Sequence, residues 1–427
     1  MISRPLVGVL LALTAVHAIP QGSGVGTTDT TSSTTITETS ITQVTLTSTS
    51  LGPTEATITS TGSVSISSTS SLSTSSTTST SSTTSTKALP TVCNNSPLLC
   101  NRTYDNITHL GAHNSAFLCD KETGWSVAGN QYVNATASLS AGVRLLQAQV
   151  HFQAGILQLC HTSCAILDAG TLASWLSSIG AWLDANPNEV VTLLLVNADD
   201  VHIEFFAAAF DQSGMSSYGY TPPFTSASST AVWPTLAELI SANTRLVTFV
   251  AGLRPSAYYP YLLDEWQYVF ETPWEVTFPA FDCDLERPTT FGSGLDAAQA
   301  GVLPLLNHFA YVPVGHEGIM VPDEESINMT NNPSEADQDA GALGKHMRAC
   351  EAEWAAKPVF VLVDFWNRGP ALTAVDEMNG IVGSVEGRTE APLVPEKSGT
   401  SSRFGGAEEK AARVGLIGFL VAVVLLF

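Results

Sequence analysis

The stretch TLASWLSSIGAWLDANPNEVVTLLLVN, residues 171–197, decides the fold. Leu172, Trp175, Leu176, Ile179, Trp182 and Leu183 recur at helical spacing, so residues 171–186 read as an amphipathic helix with one apolar face. Pro187 cannot continue that helix. EVVTLLLVN (189–197) follows as a nearly unbroken apolar run, the pattern of a strand covered on both faces in a parallel sheet.

The unit recurs on both sides. ITHLGA (107–112) and VRLLQAQVH (143–151) read as strands. TLAELISAN (235–243) reads as a helix before the strand RLVTFV (245–250), and ALGKHMRACEAEWAAK (342–357) as a helix before the strand PVFVLVDFW (358–366). Alternating strands and helices over about 300 residues imply an α/β domain, either a (β/α)8-type barrel or a doubly wound sheet. No Gly-x-Gly-x-x-Gly opens a helix after the first strand, which disfavours a dinucleotide fold and leaves the barrel as the better choice.

The flanks are of a different kind. Residues 1–18 carry Arg4, an apolar run and Val16-His17-Ala18, the grammar of a secretory signal peptide. Residues 19–91 are rich in Ser and Thr, a composition that buries too little apolar surface to fold, and read as a disordered, O-glycosylated stalk. The barrel is assigned to 92–388. A linker and attachment region (389–413) precedes an apolar tail (414–427). Small residues, a polar spacer and a terminal apolar tail match a GPI-attachment signal, with Ser398 or Gly399, or alternatively Gly405 or Gly406, as the attachment site. A single tail-anchor helix is the other reading, for which the tail is short.

These features place the protein on the outer face of the plasma membrane or in the cell wall. Five sequons, at Asn94, Asn101, Asn106, Asn134 and Asn328, suit that setting. So do seven cysteines. Cys160 and Cys164 are close enough in sequence to pair. Cys93 with Cys100 and Cys283 with Cys350 are the next pairings, leaving Cys119 over, although sequence alone does not determine connectivity. The net charge is −22, with 17 basic against 39 acidic residues and no basic cluster, which excludes nucleic acid as a partner. The chain reads as a monomer.

In a barrel, functional side chains sit at the C-terminal ends of strands. Those positions carry His113 and Asn114, Gln147, Gln149, His151, His161, Asn197, Glu271, Asn307, His308 and Asp364. Gln147, Gln149 and His151 alternate with Leu146, Ala148 and Val150, so one strand presents three polar groups on one face. Two histidines at neighbouring strand ends can divide a proton transfer between base and acid, and His113 with His161 is the best pair. His109 reads as a core residue; His202, His316 and His346 read as ordinary surface or helix residues.

YDNITHLGAHNSAF, AGVRLLQAQVHFQAGILQLCHTSCAILDAG, WLDANPNEVVTLLLVN, WPTLAELISANTRLVTFV and FVLVDFWNRG together resemble the fungal branch of phospholipase C-like phosphodiesterases, relatives of the catalytic X domain of phosphatidylinositol-specific phospholipase C. The similarity runs from about residue 93 to 385. It implies an irregular TIM barrel, a phospholipid or inositol-phosphate-like substrate, and a two-histidine mechanism. His113 then deprotonates an inositol hydroxyl that attacks phosphorus, and His161 protonates the departing diacylglycerol oxygen. Asp364 is a plausible residue to orient His113, with Asn114, Gln147, Gln149, His151 and Asn197 facing the substrate.

The sequence departs from that family in its charges. Calcium-dependent members have carboxylates, and metal-free bacterial members Asp and Arg, where this chain has Gln147 and Gln149. A third position that is charged in those relatives falls near Val196. Neither the calcium ligands nor their arginine substitute is present, so no metal or other cofactor is expected. An inactive barrel displayed for binding or wall architecture is the alternative, and a phosphodiesterase with a metal held by Asp364, Glu271 and His308 is a third.

Overall fold

The computed structural model describes residues 89–314 and 319–393. The signal peptide, nearly all of the stalk, the GPI-attachment positions, the apolar tail and His316 lie outside them. The strands are β1 His109–Ala112, β2 Leu145–Gln153, β3 Ile156–Cys160, β4 Asp168–Thr171, β5 Val191–Asn197, β6 Leu246–Ala251, β7 Leu262–Asp264, β8 Val269–Glu271, β9 Leu303–Asn307, β10 Tyr311–Val314, β11 Ile319–Pro322 and β12 Phe360–Val363.

Eight of these form one parallel sheet in the order β7-β6-β5-β2-β1-β12-β9-β8, curled as an incomplete TIM-type barrel. The ladder stays open between β7 and β8, which are joined by the single 3-10 turn Glu265–Gln267. Two antiparallel additions escaped the sequence reading: the ribbon β3–β4, which extends β2, and the hairpin β10–β11.

The expected helices are present. Leu172–Ala185 starts where the Thr171 hydroxyl accepts from Ser174 N and ends before Pro187. It buries Leu172, Leu176, Ile179, Trp182 and Leu183, each worth about 2 kcal/mol of apolar burial. Trp175 is only partly covered. Leu236–Ala242 begins with a capping box between Thr235 and Glu238.

The two-layer core explains the strand composition. On β12, Val361 and Val363 pack outward against helices, while Phe360 and Leu362 pack into the barrel interior. On β1 the inward face carries His109, Gly111 and His113 in succession. A Cβ at Gly111 would lie 2.7 Å from the side chains of both Leu145 and Leu362, so glycine lets the neighbouring strands' leucines meet. His109 closes the floor, its ring 4.8 Å from that of Tyr104. Burial lowers its pKa to about 4, so it is a neutral core residue.

The disulfides are Cys93–Cys100, Cys160–Cys164 and Cys283–Cys350, with Cα separations of 5.0, 4.7 and 5.3 Å. Cys119 is buried. Asn101, Asn106, Asn134 and Asn328 are exposed. Asn94 corrects the sequon reading: it is 4% exposed and its side-chain Oδ1 accepts from Val190 N, so the folded chain has no room for a glycan there.

Candidate active site

The alternation that sends His109 into the floor sends His113 to the C-terminal mouth, one residue beyond β1. Asn114 follows with φ of 48°, and this left-handed turn leads the chain back over the barrel end. The same logic on β12 places Phe360 and Leu362 inward, then Asp364.

His113 Nδ1 lies 2.8 Å from Asp364 Oδ1. Since the carboxylate accepts, Nδ1 carries the hydrogen and Nε2 keeps its lone pair. Asp364 is fully buried, and burial raises its pKa while His113 opposes the rise. Asn130 Nδ2 donates to both carboxylate oxygens, at 3.1 and 3.2 Å. The His113 ring stacks on Phe309 with centroids 3.7 Å apart and planes 3° from parallel. Gln131 Nε2 donates to the carbonyls of His113 and Val363, at 2.7 and 3.0 Å, tying β1 to β12 above their last ladder bond.

His161 arrives on the tight loop after β3, bracketed by the Cys160–Cys164 disulfide. Its Nδ1 donates to the Ala128 carbonyl at 2.5 Å, and its ring stacks on Phe117. Its Nε2 therefore faces Asn114, whose Nδ2 lies 3.2 Å away. Burial, with the nearby His113 adding to it, lowers the His161 pKa to about 4, so the resting side chain is neutral. Asn114 Oδ1 is buried without a partner. Rotating this amide by half a turn would offer Oδ1 to a protonated Nε2, so Asn114 can serve either charge state of His161.

Gln147 Oε1 accepts from Asn114 N at 2.6 Å, and Gln149 Oε1 accepts from Thr162 N at 3.0 Å. Both amide oxygens are committed to backbone N–H groups, which leaves the NH2 groups as the donors available to a bound group. That orientation suits an anion. It does not suit calcium, which needs several oxygen ligands: in this cluster only the amide oxygens of Asn114 and Asn130 are buried without a partner. Among the described residues no Lys or Arg hydrogen-bonds to His113, Asn114, Gln147, Gln149, His161 or Asp364.

Of the residues expected in the site, His113 bonds to Asp364, and Asn114, the next residue, bonds to Gln147 and His161, with Gln149 bonded beside His161. Two lie elsewhere. His151 pairs with Asp199 at 3.1 Å, and Asn197 spends both ends of its amide on Val201, closing the turn after β5. The metal trio is also corrected: Asp364 binds His113, Glu271 binds Arg287 at 2.6 Å, and His308 binds His346. His346, read as a surface or helix residue, lies in the helix Leu343–Trp354 and is buried.

Asn130, Gln131, Phe117 and Phe309 were missed. Each acts across the fold rather than along the chain; Asn130 and Asp364 are separated by 234 positions. The polar pair Asn130-Gln131 before a helix start was the one local signal.

The PI-PLC X family model matches residues 99–379. A PI-PLC X domain-containing protein 1 from Arthroderma benhamiae is 39% identical over 301 residues, covering 69% of this chain and 92% of that one. A protein from the same organism described as an uncharacterized secreted protein is 34% identical over 342 residues, covering 78% and 74%. A phosphatidylinositol-specific phospholipase C from Staphylococcus aureus superposes with a TM-score of 0.40 at 11% identity, covering 65% of this chain and 93% of that one. The chain belongs to the PI-PLC X domain family.

Proposed function

We propose that this protein is a secreted, GPI-anchored phosphoric diester hydrolase that cleaves phosphoinositide-like lipids by paired histidine acid–base chemistry without a metal. The observation that carries it is the arrangement of His113 and His161. Each has its Nδ1 hydrogen held by a fixed acceptor, which leaves both Nε2 atoms for the reaction, and Asn114 links the two.

In this reading His113 Nε2 takes the proton of a headgroup hydroxyl as its oxygen bonds to phosphorus. The bond from phosphorus to the glycerol oxygen breaks, and His161 Nε2–H protonates that oxygen. Diacylglycerol and a cyclic phosphate result. The amide hydrogens of Gln147 and Gln149 donate to the phosphoryl oxygens, a weaker stabilisation than a cation supplies. An apolar rim supports a lipid substrate. Phe152, Ile156, Ile166 and Phe205 are 37, 51, 40 and 39% exposed, on segments at the barrel's C-terminal face. The oxidised cysteines and the relative described as secreted support an extracellular setting.

The test is turnover of phosphatidylinositol vesicles by the full chain, with calcium and with chelator. Equal cleavage in both arms is expected, and activity abolished by chelator would overturn the metal-free reading. The missing cation favours a second reading, a binding barrel without turnover. No cleavage under any condition would select it.

The pH profile tests the division of roles. His161 must be protonated to act as the acid, and in the free protein its pKa is about 4. Its protonated fraction falls about tenfold per pH unit above that value, while the base role needs an unprotonated imidazole, so kcat/KM should be bell-shaped in pH with a limb that falls as pH rises. Once bound, the anionic phosphate favours the imidazolium and moves the kcat limb to higher pH. Burial also acts on stability: the unfolded histidine takes up its proton near 6.5, before the folded one, so stability falls over the same acid window. Circular dichroism at each pH separates the two effects. A profile with no limb that falls as pH rises would remove His161 from the acid role.

A further inference from the structure

At the N-terminal end of the barrel, opposite the two histidines, lies a cavity of about 350 Å3. Its size is that of small-ligand sites, about 300–1,000 Å3. Asn95, Arg144, Trp182 and Glu189 line it from the barrel, together with the strap 386–389. The strap is tied down at both ends: Glu386 N donates to the Asn95 carbonyl at 2.7 Å and Thr389 N to the Ser140 carbonyl at 2.9 Å.

Arg144 builds this site without being open to a ligand. Its five N–H groups are all spent: Nε and Nη2 donate to Glu189 Oε2, Nη2 also to Asn95 Oδ1, and Nη1 to the carbonyls of Leu139 and Val143. The two side chains it holds keep one atom each. Asn95 Nδ2 and Glu189 Oε1 have no partner among the described residues, although the residues are only 6 and 8% exposed. Neither atom is sealed off, and both residues open on the cavity. Asn95 is also held at a conformational cost. Asn94 and Asn95 are consecutive left-handed residues, with φ of 46° and 66°. The Cys93–Cys100 disulfide, the paired backbones of Cys93 and Ser96, and the bonds of Asn94 to Asn188 and Val190 hold that turn.

One guanidinium nitrogen bonds both side chains, so a free donor and a free acceptor are fixed beside one another. That pair matches a vicinal diol, one hydroxyl donating to Glu189 Oε1 while its neighbour accepts from Asn95 Nδ2. An anion would meet Glu189 and Glu386 and find no free guanidinium hydrogen. A cation would meet Arg144 next to both atoms. Trp182 spends its Nε1 on Ser140 Oγ at 2.8 Å, which leaves apolar ring surface for the C–H groups of a ligand. We propose that this cavity binds one neutral sugar ring of a glycan through Asn95 and Glu189.

The test is saturation-transfer NMR of the full chain with the methyl glycosides of glucose, mannose and N-acetylglucosamine. Saturable binding of at least one is expected. Asn95→Asp keeps the acceptor for Arg144 but puts an oxygen where the free NH2 stood, and should weaken binding by about 5–20-fold. Ala185→Trp, at an exposed helix end on the cavity, should abolish binding by filling the space. Both variants should turn over phosphatidylinositol like the wild type, so this proposal and the proposed hydrolase fail separately. The chain has sequons of its own, so glycosylated protein is compared with protein from a bacterial periplasm. Binding by both preparations assigns the cavity to a glycan from outside, and binding by the bacterial one alone assigns it to a glycan of this chain. Where Asn95→Asp fails to fold by circular dichroism, Ala185→Trp decides. No saturable binding by either preparation, or binding that no folded variant alters, would overturn the proposal.

Discussion

His113→Ala and His161→Ala are each expected to lower turnover of phosphatidylinositol by about 10²–10⁴-fold, the range for loss of a positioned acid or base. Removing the His113 ring leaves Asp364 with Asn130 as its side-chain donor and Phe309 without its stacking face, so some loss of stability accompanies the loss of rate. A leaving-group comparison separates base from acid. An aryl phosphodiester departs as a weakly basic phenolate that needs no proton, so His161→Ala should recover much of its activity on that substrate. His113→Ala should not recover, because the attacking hydroxyl still has to lose its proton. The double variant should be little worse than His113→Ala alone, since residues acting as a unit are non-additive. Either single variant retaining a third or more of wild-type activity, while folded, would end the two-histidine mechanism.

Gly129→Ala should damage stability and rate together. A Cβ there would lie 2.4 Å from Cys119 N and 2.5 Å from the Leu118 carbonyl carbon and oxygen, backbone atoms that cannot rotate away. The residues on either side brace both histidines. The Ala128 carbonyl holds His161 Nδ1, and the Asn130 amide holds the carboxylate that orients His113. Relieving the clash must move this loop. Overpacking of this kind costs about 1–3 kcal/mol, and a misplacement of about 1 Å can lower a rate by about 10²-fold. The expected result is a Tm several degrees lower and kcat reduced by at least about tenfold. Gly155→Ala is the control: its φ of 90° strains any side chain, but no atom lies within 4 Å, and it sits in the turn between β2 and β3. Its Tm should fall slightly while kcat holds. Unchanged Tm and kcat in Gly129→Ala would show that the loop is not a brace.

The parallel layers of the barrel were legible because periodicity is local. Five apolar residues of the helix Leu172–Ala185 and the unbroken run of β5 each announce what covers them. The incomplete closure was not legible, since it depends on whether β7 and β8 pair across a four-residue connection. There Glu265 is buried beside the Glu271–Arg287 ion pair, and burial raises its pKa. The strand-end rule picked out His113 and Asp364, whose inward direction follows from counting by twos and which the fold brings into hydrogen-bond contact. It could not show that His151 bonds to Asp199 and Asn197 to Val201, because those partners lie in the turn after β5.

By itself the sequence determined the class of fold, the strands that carry polar groups inward and the loss of charge at Gln147 and Gln149, because each is a property of residue type and period. Only the tertiary structure decided which hydrogens those groups hold. The carboxylate on His113 Nδ1, the Ala128 carbonyl on His161 Nδ1 and the backbone amides that claim both glutamine oxygens come from segments distant in sequence. A tautomer or an amide orientation is set by whichever partner folding brings within hydrogen-bond reach, and residue order does not encode that locally.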